Sequence, residues 1–198
     1  MTEIILASKS KHRAELLRNA GIAFRTEVAN IDEREVEKPM LHSELIGSDI
    51  AEVLAIAKAT DVSQRFPDTM VIGCDQTLTL NNEMLHKPKD LEDARRRLLK
   101  LSGKTHDLNT AVALVSDGNV VWQYTEVCSI KFRDLDPGYI GRHLAEAGDA
   151  VLSSVGAYQI EGLGVNLFEL IKGDFFSIMG LPLLPLLGEL RKHGLIDG

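Results

Sequence analysis

The order of short apolar runs and amphipathic segments limits the folds that this chain can adopt. Ile4-Ile5-Leu6-Ala7 and Met70-Val71-Ile72-Gly73 are short apolar runs, each typical of a buried strand. Helical spacing of apolar residues marks five segments, which are Arg13 to Ala20, Ile50 to Val62, Leu91 to Leu101, Asp136 to Gly148 and Leu183 to His193. Strand patterns that alternate with helix patterns in this way indicate an α/β architecture.

The middle of the chain adds a hairpin, which makes the predicted sheet mixed. Leu108 to Val115 and Val120 to Phe132 have strand patterns, and Ser116-Asp117-Gly118-Asn119 between them favours a tight turn. Thr77 to Leu80 alternates as a further short strand and is followed by a turn at Asn81-Asn82. We therefore predict an α/β fold with a mixed, twisted sheet flanked by helices.

Length and composition are those of an ordinary globular protein. The chain has 198 residues, of which 44% are hydrophobic and 26% charged, and it contains no apolar run of the roughly 18 residues that span a membrane. We predict one domain over residues 1–198 and no membrane partner. The first residues lack the basic stretch and long apolar run of a signal peptide, so we expect a cytoplasmic location. The net charge of −7 argues against a general nucleic-acid binder.

A polar, basic segment follows the first predicted strand. Ser8-Lys9-Ser10-Lys11-His12-Arg13 lies between that strand and the first predicted helix. A helix N-terminus offers unpaired N–H groups and a partial positive charge, to which hydroxyl and cationic side chains add. The segment is therefore a candidate phosphate cradle, although a capped helix with solvated basic residues is the commoner explanation of such a composition.

Acidic residues and lysines complete the set of candidate site residues. Asp75 follows the second apolar run, at the carboxyl end where α/β proteins often place catalytic groups. Asp32-Glu33 is a pair of acids suited to a hard cation such as Mg²⁺. Lys58 and Lys87 supply point charges of the kind that bind phosphate oxygens. Taken singly, each has a commoner explanation: an aspartate that caps a turn, surface acids, and solvated lysines.

Several familiar motifs are excluded. Ser102-Gly103-Lys104-Thr105-His106 contains Gly-Lys-Thr, but Leu98 stands where a P-loop needs its first glycine, and the segment follows a helix rather than a strand. The sequence has no spacing typical of a zinc site, an α/β-hydrolase or a dinucleotide-binding fold. Cys74 and Cys128 are expected to be reduced thiols.

The candidate segments occur in an order that is specific as a combination. The landmarks are Leu6-Ala7-Ser8-x-Ser10-x-x-Arg13, Asp32-Glu33, Ala57-Lys58-Ala59, Gly73-x-Asp75, Lys87-Pro88, Ser102 to His106, Gly156 to Gly162, and Gly173 to Pro182. In this combination the chain resembles, along nearly its whole length, the Maf family of septum-formation-inhibitor-like nucleotide pyrophosphatases.

The resemblance implies a fold, a reaction and roles for the site residues. The implied fold is two-lobed with a central cleft, similar to the inosine triphosphate pyrophosphatases. The implied reaction is hydrolysis of a nucleoside triphosphate to the monophosphate and pyrophosphate with a divalent cation, Mg²⁺ or Mn²⁺. The resemblance implies that Asp75 is the general base or water-orienting acid and, with Glu33, a metal ligand. The implied phosphate-binding residues are Ser8, Ser10, Arg13, Lys58 and Lys87. Removal of modified nucleotides and a homodimer are further expectations.

Three positions resemble the specificity positions of the family, which are His12, Gln76 and Glu161. Gln76 and Glu161 match the branch that acts on 7-methylguanosine triphosphate, whereas His12 replaces both the aromatic residue of that branch and the arginine of the pyrimidine branch. Lys11 and His86 also stand where the family usually has proline and glycine. A carboxylate at position 161 is suited to accept hydrogen bonds from guanine N–H groups. We therefore expect a slight preference for a purine nucleotide such as 7-methylguanosine triphosphate.

Two other functions stay open from the sequence. A nucleotide-sensing regulator of cell division would bind nucleotide without releasing pyrophosphate. Another phosphohydrolase or a nucleotidyltransferase would release orthophosphate or use an acceptor other than water. The complete set of acids and lysines favours the pyrophosphatase, because binding alone does not require a water-orienting carboxylate.

Overall fold

Seven strands form one mixed sheet in the computed structural model of this protein, which describes residues 2–40 and 45–197. The strands are β1 (Glu3–Ala7), β2 (Arg25–Glu27), β3 (Thr69–Leu80), β4 (Glu83–Leu85), β5 (Thr105–Ser116), β6 (Asn119–Phe132) and β7 (Phe168–Lys172). Their order is β2-β1-β3-β5-β6-β7, with β4 paired to β3. β1 runs parallel to β2 and β3, whereas the pairs β3–β4 and β6–β7 are antiparallel. The predicted α/β fold with a mixed sheet is confirmed.

Seven α-helices accompany the sheet within the described residues. They are α1 (Lys11–Asn19), α2 (Glu33–Glu37), α3 (Gly47–Arg65), α4 (Leu91–Leu101), α5 (Pro137–Ala147), α6 (Phe175–Ile178) and α7 (Leu183–Lys192). Short 3-10 helices cover Gly148–Ser153 and Leu163–Leu167. All five predicted helices are present, and in the described part of the chain none is long and apolar enough to cross a membrane.

β3 is one strand of 12 residues, where the sequence predicted two separate strands. The prediction that Asp75 follows the end of a strand is therefore wrong. The polar residues at positions 75 to 77 resemble a strand end, but each has a hydrogen-bond partner inside the fold. Asp75 bonds Lys58, and Thr77 accepts from the Asn109 side chain. A strand whose polar side chains are satisfied in this way continues through them without a break.

The chain is divided into two compact units. Unit 1 comprises Met1–Gln76, Thr110–Glu126 and Asp174–Gly198, and unit 2 comprises Thr77–Asn109 and Val127–Gly173. β3, β5 and β6 each contribute residues to both units.

Alternation along β1 and β3 places helices on both faces of the sheet in unit 1. Leu6 and Ile72 belong to a buried cluster with residues of α1 and α7. Ile5 belongs to a second cluster with residues of α3. Because successive residues of a strand point to opposite faces, the Asp75 side chain lies on the α3 face and the Gln76 side chain on the other.

Unit 2 has a core of its own that is rich in aromatic rings. His106, Phe132, Tyr158 and Phe168 lie with neighbouring ring centroids 5.0 to 5.7 Å apart. Within the same unit α4 packs against α5 and against the 3-10 helix Gly148–Ser153. This core holds the carboxyl-terminal part of β6 against β7.

Candidate functional site

One ammonium group bridges two carboxylates in unit 1. Lys58 Nζ lies 2.6 Å from Asp75 Oδ1 and 2.7 Å from Glu33 Oε1. The side chains of Lys58 and Asp75 are only 12% and 11% exposed, whereas that of Glu33 is 52% exposed. Two carboxylates and one ammonium leave one negative charge in surplus, and the exposed Glu33 keeps it in reach of solvent. We refer to these three residues as the Lys58 cluster.

The adjacent acids Asp32 and Glu33 have different roles. Asp32 is the N-cap of α2, because its Oδ1 accepts from the backbone N–H groups of Arg34 at 3.0 Å and Glu35 at 3.4 Å. Glu33, the first residue of that helix, is the acid that reaches Lys58. Of the predicted acid pair, the structure brings only Glu33 to the cluster.

Gly73 explains why α3 approaches β3 closely enough for Lys58 to reach Asp75. A Cβ at position 73 would lie 2.1 Å from the Ala55 carbonyl oxygen and 2.8 Å from Ala59 Cβ. Gly73 therefore has no room for a side chain, and the helix packs directly on the strand backbone. Gly73 and Asp75 share one face of β3, and Ala55 and Ala59 lie within a turn of Lys58. This role of Gly73 is not evident from the sequence, although Gly73-x-Asp75 and Ala57-Lys58-Ala59 are among the landmarks of the family resemblance.

The predicted phosphate cradle lies between β1 and α1. Ser8 Oγ accepts from the Ser10 N–H at 3.1 Å, and Ser10 Oγ accepts from the Arg13 N–H at 3.4 Å as the N-cap of α1. Neither hydroxyl donates its proton to another of the described residues. Both serines therefore shape the loop with their lone pairs and keep a donor for a bound anion.

Arg13 joins this loop to β3. Its Nη1 donates to the Cys74 carbonyl oxygen at 2.7 Å, and its Nε donates to the Gly180 carbonyl oxygen at 2.7 Å. The ladder between β1 and β3 ends at Gly73, so the guanidinium satisfies the next carbonyl of the strand. Nη2 bonds none of the described residues and stays available as a donor. Arg13 thus fixes the loop beside Asp75 and keeps an N–H group for a phosphate oxygen.

The three predicted specificity residues have different surroundings. His12 is half-buried on α1, and Gln76 on β3 donates through Nε2 to Thr110, Ser177 and Ile178. Glu161 is exposed in unit 2, as is the predicted phosphate ligand Lys87. Eight of the ten predicted site residues belong to unit 1, and Lys87 and Glu161 to unit 2.

The predicted metal ligands fit the donor set of a hard cation. No group of three or more His, Cys, Asp or Glu side chains that could hold a metal ion occurs in residues 2–40 and 45–197. Mg²⁺, however, is usually held by one or two carboxylates together with water and substrate phosphates. Asp75 and Glu33, which share one ammonium, are such a pair.

Cys74 lies between Gly73 and Asp75 but is not a nucleophile. The thiol is fully buried, and this burial raises its pKa to about 11. Neither cysteine forms a disulfide with another described residue and both are buried, in agreement with the predicted reduced thiols. Because the thiolate is the reactive form, a neutral Cys74 packs as a small apolar residue.

Known proteins match this chain over almost its full length. The family described as Maf-like protein matches residues 3–193. A "7-methyl-GTP pyrophosphatase" of Brucella abortus is 56% identical over 196 residues, which are 99% of this chain and 98% of that protein. A protein of the same name from Mesorhizobium japonicum is 57% identical over 199 residues, which cover all of both chains. A solved HAM1 protein from Coxiella burnetii has a TM-score of 0.42 and 20% identity, covering 67% of this chain and 73% of that one.

Proposed function

This chain belongs to the family of Maf-like proteins, and from that premise we propose that it hydrolyses nucleoside triphosphates to the monophosphate and pyrophosphate. The relatives from Brucella abortus and Mesorhizobium japonicum are named 7-methyl-GTP pyrophosphatase, so 7-methyl-GTP is the substrate we propose. The observation that carries the proposal is the Lys58 cluster beside the Ser8 to Arg13 loop. It combines a carboxylate, cationic groups and hydroxyl donors within one unit.

Asp75 is the group we assign to the attacking water. Its Oδ1 is bonded to Lys58, while Oδ2 accepts no hydrogen bond from the described residues and is not enclosed. Lys58 fixes the carboxylate in one orientation and leaves the second oxygen for a water molecule. A carboxylate held in this way orients that water or takes its proton as it attacks phosphorus.

Cationic and hydroxyl groups are assigned to the phosphates. Cleavage of the bond between the α and β phosphates moves negative charge onto the leaving pyrophosphate, which positive groups stabilise. Lys58, Arg13 Nη2 and the hydroxyls of Ser8 and Ser10 are the candidates in unit 1. Lys87, which is exposed in unit 2, is a further candidate for a residue that stabilises the negative charge of the phosphates.

Glu33 and Asp75 are the residues we propose to hold a divalent cation, Mg²⁺ or Mn²⁺. Such an ion supplies Lewis-acid stabilisation of the phosphate oxygens. Glu33 is the more exposed of the two carboxylates, so a cation that arrives with the nucleotide can reach it. Lys58 neutralises part of the charge of both carboxylates, and this limits their mutual repulsion when no cation is bound.

A purine preference follows from the acceptors among the specificity residues. Glu161 has an exposed carboxylate, and guanine presents N–H donors to which a carboxylate bonds well. We therefore place 7-methyl-GTP and GTP ahead of pyrimidine nucleotides, with removal of modified nucleotides as the role. The homodimer and the cytoplasmic location expected from the sequence stay predictions.

A product analysis tests the proposed function. The purified protein is incubated with Mg²⁺ or Mn²⁺ and, separately, with ATP, GTP, CTP, UTP and 7-methyl-GTP, and monophosphate, pyrophosphate and orthophosphate are quantified at early times. We expect monophosphate and pyrophosphate in equal amounts, the highest rate with 7-methyl-GTP, and loss of turnover in a chelator. Release of orthophosphate, or tight nucleotide binding without any turnover, would contradict the proposal.

A further inference from the structure

One face of α3 presents three charged side chains to the segment that joins β2 to α2. Lys58, Asp61 and Arg65 are three and four residues apart, so their side chains lie on the same face of the helix. The segment covers residues 28–32 and leads directly into Glu33, the first residue of α2. One continuous helix therefore contacts both this segment and the carboxylate that follows it.

Asp61 and Arg65 bind the backbone of this segment rather than its side chains. Asp61 Oδ2 accepts a hydrogen bond from the Asn30 N–H at 2.9 Å. Arg65 Nη2 donates to the Val28 carbonyl oxygen at 2.6 Å and to the same Asp61 oxygen at 3.0 Å. Two backbone groups of the segment are thus tied to one ion pair, which lies within about two helical turns of Lys58 on α3.

These bonds fix the path of the backbone that carries Glu33. Ala29 packs against a buried cluster that includes Val62 of α3, but an apolar contact of this kind has no preferred direction. The hydrogen bond at Asn30 does have one, and Asn30 precedes Glu33 by only three residues. Because the Glu33 side chain is 52% exposed, its place 2.7 Å from Lys58 Nζ depends on this backbone path.

We infer that Asp61 and Arg65 are positioning residues, which hold Glu33 at the Lys58 cluster for binding of the divalent cation. The inference rests on the proposed function in taking Glu33 as a ligand of that cation. A carboxylate whose backbone is already held in place loses less freedom when it binds. The two backbone bonds to α3 therefore strengthen cation binding, although neither Asp61 nor Arg65 is assigned a contact with the cation.

The gain in nucleotide affinity that Mn²⁺ provides tests the inference without relying on turnover. Dissociation constants of the α,β-methylene analogue of GTP are measured with Mn²⁺ and with a chelator, and the ratio of the two constants is the gain. Loss of one hydrogen bond should lower the gain by about fivefold in Asp61→Ala and, as a second variant, in Arg65→Met. If the two residues only stabilise the fold, both constants change by the same factor and the gain stays the same, which would overturn the inference.

The two variants also separate positioning from a long-range effect of charge. Asp61→Ala removes a negative charge and Arg65→Met a positive one, so a charge effect would change the gain in opposite directions. Opposite changes would therefore overturn the inference. Asp61→Asn, which keeps an oxygen for the Asn30 N–H, should retain the wild-type gain. Arg96→Met on α4 should retain it as well, because Arg96 is 62% exposed in unit 2.

Glu33→Gln is the reference for loss of the ligand itself. It should lower the gain further than either variant, and adding Asp61→Ala to it should cause no additional fall. An additional fall, or a gain lost in Glu33→Gln and kept in Asp61→Ala, would overturn the inference alone. A wild type without any gain from Mn²⁺ would overturn the inference together with the proposed metal ligands. The expected gains in a protein that hydrolyses neither GTP nor 7-methyl-GTP would contradict the proposed function and leave the inference standing.

Discussion

Lys58 and Asp75 of the Lys58 cluster in unit 1 and the His106–Tyr158 pair of unit 2 are both largely buried polar pairs, but they differ in charge and in access to solvent. Lys58 and Asp75 are charged, and each is about a tenth exposed. His106 Nε2 lies 2.7 Å from the Tyr158 hydroxyl, and both residues are buried. Burial lowers the pKa of His106 to about 4 and raises that of Tyr158 above its usual range, so this pair is neutral near pH 7.

An accessible polar atom without a protein partner distinguishes the Lys58 cluster from the His106–Tyr158 pair. Asp75 keeps an accessible oxygen that no described residue bonds. His106 Nδ1 also has no partner among the described residues, but it is enclosed. His106 is surrounded by the rings of Phe132 and Tyr158 and has no path for exchanging a proton with a substrate. We therefore assign the chemistry to the Lys58 cluster and a stabilising role to the pair.

Removal of the bridging ammonium is the largest effect we expect. Lys58→Met leaves Asp75 and Glu33 without their shared cation and removes a charge that stabilises the leaving group. Loss of one such preorganised group should lower the rate of pyrophosphate release by about 100-fold or more. Initial rates under saturating nucleotide measure this effect.

Lys100→Met is the matched control for that substitution. Among the described residues Lys100 pairs only with Glu83, and both side chains are well exposed, at 39% and 60%. An exposed pair of this kind contributes little, so rate and stability should stay close to wild type. Similar rates of pyrophosphate release for Lys58→Met and Lys100→Met would contradict the assignment of the chemistry to the Lys58 cluster.

Gly73→Ala should have the next largest effect, because it forces α3 away from β3. The new Cβ would overlap the Ala55 carbonyl oxygen, and overpacking against backbone should lower the free energy of unfolding by about 3 kcal/mol. Lys58 would then move away from Asp75, and the rate should fall as well. Urea unfolding measures the first effect and product release the second.

Gly188→Ala on α7 controls for the exchange of glycine for alanine. A Cβ at position 188 would meet no atom within 4 Å. Because alanine favours a helix over glycine, this variant should gain up to about 1 kcal/mol. A stable, active Gly73→Ala would show that close packing of α3 is not what positions Lys58.

Acid should destabilise the protein through His106. Its folded pKa of about 4 is below the usual value of 6.5, so the unfolded chain binds the proton more readily. The contribution of neutral His106 to the free energy of unfolding is fully present above pH 6.5 and is lost as the pH falls towards 4. From pH 7.5 to pH 5 the contribution lost should be about 2 kcal/mol.

Unfolding of the wild type and of His106→Phe/Tyr158→Phe at both pH values measures that contribution. The double variant removes both partners together and leaves no buried group unpaired. It should lose less stability on acidification than the wild type, by the amount assigned to His106. An equal loss in both proteins would show that His106 does not titrate in this window.

Tyr158→Phe should have the smallest effect and should act on stability alone. It removes the hydroxyl that bonds His106 Nε2, and the loss of one buried hydrogen bond should cost about 1 kcal/mol. The rate of pyrophosphate release per folded molecule should stay within about twofold of wild type. A large fall in rate at unchanged stability would place the pair in the chemistry.

The sequence predicted the elements whose signal is local and missed those whose signal is not. The helix marked by Leu91, Ala94, Leu98 and Leu101, with its end predicted at Gly103, is observed over Leu91–Leu101, because its amphipathic pattern is strong. The short strand Arg25–Glu27 and the helix Glu33–Glu37 were not predicted, since elements of three to five residues carry little periodicity. The strand Thr69–Leu80 was predicted as two pieces, because its polar residues find their partners in distant segments.

The candidate site shows the same division. The resemblance to the family selected Lys58, Asp75 and Glu33, but it gave no reason for their proximity. That reason is the contact of α3 with Gly73, which joins segments far apart in the chain. Arg13 was predicted as a phosphate ligand, and its bonds to two backbone carbonyls became evident only in the folded chain.

The rates of Asp75→Asn and of Asp61→Asn on α3 show whether the Asp75 carboxylate acts in hydrolysis. Asp61 pairs with Arg65 at 3.0 Å and accepts from the Asn30 N–H at 2.9 Å, and an asparagine at this position can still accept the second bond. With 7-methyl-GTP as substrate, Asp75→Asn should lower the rate of pyrophosphate release by about 100-fold to 10,000-fold, the usual contribution of a general base. Asp61→Asn should stay near wild type, with unfolding measured for both. An Asp75→Asn variant that retains more than about a tenth of the wild-type rate would contradict the assignment of hydrolysis to this carboxylate.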